Sequence, residues 1–270
     1  MKFDKLAFRL TACCVVFILF LSINASNSFS LKAAQPTIRV LFIGNSYTFV
    51  NNMPKILMNL AAQETKPIEA VSITKGGATL KQHWLEGKAL AAIRSGTWDY
   101  VVLQEHSTLG STLVVNNVAQ LNAPDDFYTY ARLFDQEIKK SGAKTLFFLT
   151  WARQNSPQNQ AVLNNTYLTI ANELHDEVVP VGMAWADALK TRPDLILHQK
   201  DMSHPDPDGS YLAACVFFAQ LYHKSPVGLT IAPLSTSAGS LASSKRDALF
   251  LQQIAWQVVG QQVKNVNPVS

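Results

Sequence analysis

The sequence has little cysteine, little charge of either sign, and no repeat or low-complexity tract. Only 3 of its 270 residues are cysteine. Cys13 and Cys14 sit side by side in an apolar N-terminal stretch, so a chain trimmed beyond them keeps Cys215 alone and has no intrachain disulfide. Cys215 lies within "YLAACVFFAQLY", which reads as a buried structural thiol and not a nucleophile. The net charge is only +4, and Lys2, Lys5 and Arg9 against Asp4 carry two of those charges at the extreme N-terminus. Nucleic-acid binding needs a concentrated basic stripe, and none is present. With 48% hydrophobic and 16% charged residues, the composition is that of a chain long enough to bury one large core.

Nor is there an apolar run of the roughly 20 residues that a membrane-spanning helix needs. The longest, "TACCVVFILFLSI", follows the basic "MKFDKLAFRL" and precedes "NASNS". This order of basic, apolar and small-residue segments predicts a secretory signal peptide over residues 1–25, with Ala25 as the cleavage residue and a periplasmic or secreted product. An uncleaved N-terminal anchor is the alternative. "LTAC" precedes the apolar run, whereas a lipoprotein cysteine follows it.

Beyond residue 37, strands and helices alternate. "IRVLFIG", "IEAVSIT", "DYVVLQ", "KTLFFLTW" and "EVVPVGMAW" each hold a strand. The unbroken apolar character of the first and fourth suits strands covered on both faces. Helices are predicted over "MPKILMNLAAQE", over "GGATLKQHWLEGKALAAI" after its glycine turn, over "DDFYTYARLFDQEIKKSG", from about 158 to 176, over "WADALKT", over "YLAACVFFAQLYH", and around Leu251–Val259. Segment 105–125 has no periodicity and is long for a connection, as a binding loop is. Repeated alternation predicts an α/β fold with a parallel sheet and helices on both faces. Ligands in such sheets bind beyond the carboxyl ends of the strands. That rim collects Ser46, Gly76 and Gly77, Gln104 and Glu105, Trp151 to Arg153, and Asp201 to His204.

A serine hydroxyl needs a base to remove its proton, usually a histidine oriented by a carboxylate. Asp201 and His204, three residues apart in "DMSH", are spaced so that the carboxylate meets one ring nitrogen while the other faces outward. The developing oxyanion needs donors, and the backbone N–H groups of Ser46 and Gly77 are candidates, with a side-chain amide at the end of the third strand.

These residues resemble the SGNH (GDSL-type) hydrolases. Gly44-Asn45-Ser46 matches the family's strand, glycine and nucleophile; "GGAT" matches its second motif, with Gly77 in the oxyanion position; Asp201-x-x-His204 matches its last. The resemblance spans about residues 38 to 224 and is greatest to bacterial branches of unassigned function. It implies a flavodoxin-like three-layer sandwich of about five parallel strands, a single domain over 38–264, and an exported serine esterase with no cofactor. The implied substrate is a small-molecule or carbohydrate ester, O-acetyl groups on carbohydrate being the preferred class. One departure is clear. The family's G-x-N-D motif is missing, and "VVLQEHS" stands in its place, with Gln104 as the substitute amide.

Each residue also has a plainer reading. Ser46 is alternatively a helix cap, Asp201 and His204 members of a turn-rich surface loop, Gly77 a turn former, and Gln104 an amide bonding loop backbone. Asn45 reads as a loop tie and, with Glu105, as a candidate pocket residue. Glu105 and His106 are an acid–base pair that more often orders its own loop. Trp151 and Arg153 either line a pocket or, for the tryptophan, join the core. A metal reading gathers His198, Asp201, His204, Asp206 and Asp208. It fails the calcium-loop template, because Cys215 falls where a glutamate is needed, and there is no second cluster for zinc. A glycan-binding protein without turnover is the main alternative to an esterase, and a pure binder has no need of the Ser46–Asp201–His204 set.

Overall fold

In strand β1 (Ile38–Gly44) the four residues Val40 to Ile43 are fully buried. Side chains alternate along a strand, so Val40 and Phe42 enter one core and Leu41 and Ile43 the other. Both faces of the strand are covered, which is why the sequence shows an apolar run and no alternation. The same split recurs in β3 (Tyr100–Leu103), in β4 (Lys144–Phe148) and in β5 (Glu177–Val179). The edge strand β2 (Ile68–Thr74) is half exposed. The computed structural model describes residues 36–109, 112–115, 118–121, 124–230, 235–236, 239–240 and 244–266. The predicted signal segment, with Cys13, Cys14 and Ala25, lies outside them.

The five strands pair in parallel in the order β2-β1-β3-β4-β5. Helices α2 (Met53–Leu60), α7 (Val181–Thr191), α8 (Pro207–Tyr222) and α9 (Lys245–Val266) cover one face. On the other lie α3 (Leu80–Glu86), α4 (Lys88–Ser95), α5 (Pro124–Lys140) and α6 (Asn159–Leu174). This is the three-layer sandwich that the alternation predicts, with the flavodoxin-like strand order that the resemblance implies. Helix α8 is buried from Pro207 to Leu221, as a helix apolar all round must be. It packs between α2 and α9, and its Cys215 is fully buried.

Several boundaries differ from the sequence reading. The helix expected after "GGAT" is two, α3 and α4, separated by Gly87 at φ +75°. Helix α7 begins at Val181, before "WADALKT", and α8 begins at Pro207, where proline suits a first helical turn. The loop 105–125 contains a two-stranded antiparallel hairpin, Thr112–Val115 with Val118–Leu121. Among the described residues no helix is long and apolar enough to cross a membrane.

The strand order reverses between β1 and β3, since the chain leaves β1 for one edge and then returns to its other side. Loops that follow these two strands part there and open a crevice, the usual ligand position in such sheets. Ser46 follows β1 and His106 follows β3.

Candidate active site

Immediately after β1, Asn45 caps the short helix α1 (Ser46–Phe49), its Oδ1 accepting from Tyr47 N–H at 3.1 Å. The cap is thus Asn45, and the Ser46 hydroxyl is left for another partner. That partner is His204, whose Nε2 lies 2.8 Å from Ser46 Oγ. On the far side of the ring, His204 Nδ1 is hydrogen-bonded to Asp201 Oδ2. Since His204 Nδ1–H donates to the carboxylate, Nε2 is the acceptor for the Ser46 hydroxyl.

The late loop holds this geometry through its own backbone. Asp201 Oδ1 accepts from the N–H of Ser203 and of His204, at 3.0 and 2.9 Å. Partial burial raises the Asp201 pKa, but the bonds from His204 and these two amides outweigh it and hold the carboxyl below its ordinary range. An antiparallel bridge between His198 and Pro205 closes the loop. Three further ties fix it to the rim: Gln154 N–H to Met202 O at 2.9 Å, Trp151 Nε1–H to Ser203 O at 3.0 Å, and the Tyr47 and Ser203 hydroxyls 2.8 Å apart. Burial raises the pKa of the Tyr47 phenol, so it stays protonated.

Around Ser46 opens a cleft of about 120 Å³, lined by Asn45, Tyr47, Gly77, His106, Ser107, Arg153, Ser203 and His204. Gly77 adopts φ +65°, which favours glycine. Neither its N–H nor that of Ser46 is engaged by another group among the described residues. Two backbone donors therefore stand beside the serine.

Other predicted residues have supporting positions. Gln104 is fully buried and does not reach the cleft. Its Oε1 accepts from Asn45 N–H and from the Thr48 hydroxyl, both at 2.9 Å, and its Nε2 donates to Glu105 O. Buried outside the cleft lining, with its oxygen turned to Asn45 and Thr48, the amide supports the serine turn from below. Gly44, two residues before the serine, makes room for it, because a Cβ there would lie 2.5 Å from Gln104 Oε1. Glu105 is buried too, and it binds the N–H groups of Leu80 and His106 at 3.0 and 2.7 Å. Trp151 belongs to the core, stacked between Tyr47 and Trp185 at centroid distances of 4.4 and 3.9 Å. Asn45 ties loops as expected, donating to Ala78 O at 3.0 Å. Arg153 does line the cleft.

The sequence reading missed Tyr47, Ser203 and His83. His83 Nε2–H donates to Gly44 O at 2.8 Å, and burial lowers its pKa, so it stays neutral and fixes the turn. Its position in the middle of α3, a few residues after "GGAT", carries no signal of that contact. His198, part of the metal reading, donates to Ala152 O at 3.0 Å. Among the described residues no three histidine, cysteine, aspartate or glutamate side chains converge as metal ligands.

Neither a family model nor a curated protein matches the sequence. Solved structures match the fold. A DUF4886 family protein from Bacteroides uniformis superposes with a TM-score of 0.62 at 19% identity, over 84% of this chain and 96% of that one. A protein from Slackia heliotrinireducens assigned to the SGNH hydrolases gives 0.56 at 23% identity, over 68% and 99%. The acetyl xylan esterase AlAXEase gives 0.54 at 16% identity, over 68% and 100%. The chain has the fold of the SGNH hydrolases.

Proposed function

We propose that this protein is a serine esterase of the SGNH type that hydrolyses short-chain carboxylic esters, with O-acetyl groups on carbohydrate as the substrate class. The observation that carries the reading is the hydrogen-bonded chain from Ser46 through His204 to Asp201. Ser46 Oγ attacks the ester carbonyl carbon as its proton passes to His204 Nε2, and Asp201 steadies the resulting imidazolium. The N–H groups of Ser46 and Gly77 receive the oxyanion. Collapse of the tetrahedral adduct expels the alcohol, which takes its proton from His204, and leaves an acyl-serine. Water then attacks the acyl carbon, giving its proton to His204, and the carboxylic acid departs as Ser46 is reprotonated. No step calls for a cofactor.

A small acyl group is favoured by the size of the cleft. Its volume of about 120 Å³ is below the roughly 300 Å³ at which pockets enclose a whole drug-sized ligand. The alcohol portion would then rest on the open rim. The fold likeness to an acetyl xylan esterase favours acetyl, and the predicted signal peptide favours action outside the cytoplasm.

The test is hydrolysis of 4-nitrophenyl acetate by wild type, Ser46→Ala and His204→Ala, each with and without EDTA. Turnover should fall roughly a thousandfold or more in both variants, with chelator making no difference. Equal rates in all three folded proteins would reject the reading and favour a binding protein. A loss caused by EDTA alone would favour metal-dependent hydrolysis.

A further inference from the structure

Arg153 follows β4 on the rim and lines the same cleft as Ser46. A guanidinium carries five donors and a permanent charge, and in folded proteins such a group is ordinarily matched by a carboxylate. Arg39, Arg94, Arg132 and Arg192 have one here, whereas Arg246, with none among the described residues, is exposed to water. Arg153 has none among the described residues. Among the described residues its side chain makes one hydrogen bond, from Nη2 to Ser107 Oγ at 3.2 Å. Its Nε is buried with no hydrogen-bond partner among the described residues, and leaving a buried charged donor unmatched is costly. The acid of this site, Asp201, is committed to His204 and to two backbone amides and forms no ion pair with the arginine.

The neighbouring histidine does not duplicate the charge. His106 Nδ1 accepts from Thr108 N–H at 3.2 Å and lies 2.7 Å from its hydroxyl. The proton therefore sits on Nε2, and burial together with the Arg153 charge lowers the ring's pKa. Arg153 is thus the one permanent cation among the described residues lining the cleft. One permanent charge matches a monoanion better than a dianionic phosphate.

We propose that Arg153 is an anion subsite, and that the ester cleaved at Ser46 carries a carboxylate on its alcohol portion, as an acetylated uronic acid does. This rests on the serine-esterase reading for the chemistry, while the subsite itself stands on the unmatched guanidinium. The planar fork suits a carboxylate in a bidentate pair. The alcohol side is favoured because the cleft has room for only a short acyl group.

The experiment compares acetate release from acetylated glucuronic acid and acetylated glucose by wild type, Arg153→Gln and Arg153→Lys. 4-Nitrophenyl hemiglutarate and 4-nitrophenyl butyrate form an acyl-side pair. Wild type should favour the acetylated acid over the acetylated neutral sugar by about tenfold or more in kcat/KM. That ratio should fall towards one in Arg153→Gln, mainly through KM, with Arg153→Lys intermediate; circular dichroism checks that both variants fold. A wild-type ratio of one, or a ratio retained in Arg153→Gln, would overturn the subsite. An acidic preference confined to the hemiglutarate would overturn its placement on the alcohol side.

Calorimetric binding of acetylated glucuronic acid to Ser46→Ala, with and without Arg153→Gln, gives a readout free of turnover. Arg153-dependent binding without hydrolysis by wild type would keep the subsite and reject the esterase. Hydrolysis of both sugars alike would do the reverse. Absence of both binding and hydrolysis would reject both.

Discussion

At the level of single residues, some side chains meet Ser46 and others only support it. Asp201→Asn keeps the size of the side chain but removes the anion that fixes the His204 tautomer. We expect kcat to fall between about a hundredfold and ten-thousandfold with KM little changed, measured by steady-state ester hydrolysis. Its low pKa keeps Asp201 ionised above about pH 4, so protonation of this carboxyl does not limit activity near neutrality. Gln104 gives a contrasting expectation. Truncation to alanine strips partners from the buried Asn45 N–H, the Thr48 hydroxyl and Glu105 O. Stability should drop by roughly 2–3 kcal/mol, read as a shift of the urea midpoint. A Gln104→Ala protein of normal stability but greatly reduced kcat would contradict its supporting role. This distinction was out of reach of the sequence. "LQEHS" identifies a loop at a strand end, yet whether an amide points down into the turn or out into the cleft depends on the contacts of its neighbours.

At the scale of elements, the turn that presents Gly77 is pinned by the start of α3. Thr79 caps it reciprocally: its hydroxyl accepts from Gln82 N–H at 3.2 Å, and Gln82 Oε1 accepts from Thr79 N–H at 3.1 Å. Thr79→Ala should cost about 1 kcal/mol in chemical denaturation. A second junction lies where α5 and α6 end. Asp176, with a side chain only 7% exposed, shares Lys139 with Asp135. Burial first, and then the Asp135 carboxyl, push the Asp176 pKa up to about 7. The native state thus binds more protons than the unfolded chain between about pH 4 and 7, and stability falls as pH rises through that window. Asp176→Asn should therefore be more stable than wild type at pH 8, on the order of 1 kcal/mol, with the difference vanishing near pH 4. Equal pH dependence in the two proteins would contradict this. Helix breaks were less legible than strands. Gly87 interrupts an otherwise continuous amphipathic pattern, and such a pattern does not say whether a glycine is tolerated within a helix or adopts positive φ.

For the whole molecule, the arrangement follows from one property of the strands. Each central strand is apolar on both faces, so helices must cover both, and short connections then force a parallel sheet. That logic was readable from "RVLFIG" and "KTLFF", and with it the rim on which Ser46, Asp201 and His204 fall. The strand order, and hence the reversal between β1 and β3 that opens the crevice, was reached in the sequence only through resemblance to a known fold. Contacts between distant segments were not legible. Tyr47 with Ser203, 156 residues apart, and Trp151 stacked beneath Tyr47 are products of the folded layers. They couple the serine turn to the histidine loop, so the site's geometry depends on the packing of the core below it.

Whether Ser46 is a nucleophile can be tested without knowing the substrate, by intact-mass analysis after treatment with a fluorophosphonate, whose phosphorus a nucleophilic serine attacks as fluoride leaves. We expect one adduct per wild-type chain, mapped to the peptide bearing Ser46, absent in Ser46→Ala and formed far more slowly in His204→Ala. No adduct on folded wild type, or an undiminished adduct on Ser46→Ala, would contradict a nucleophilic Ser46.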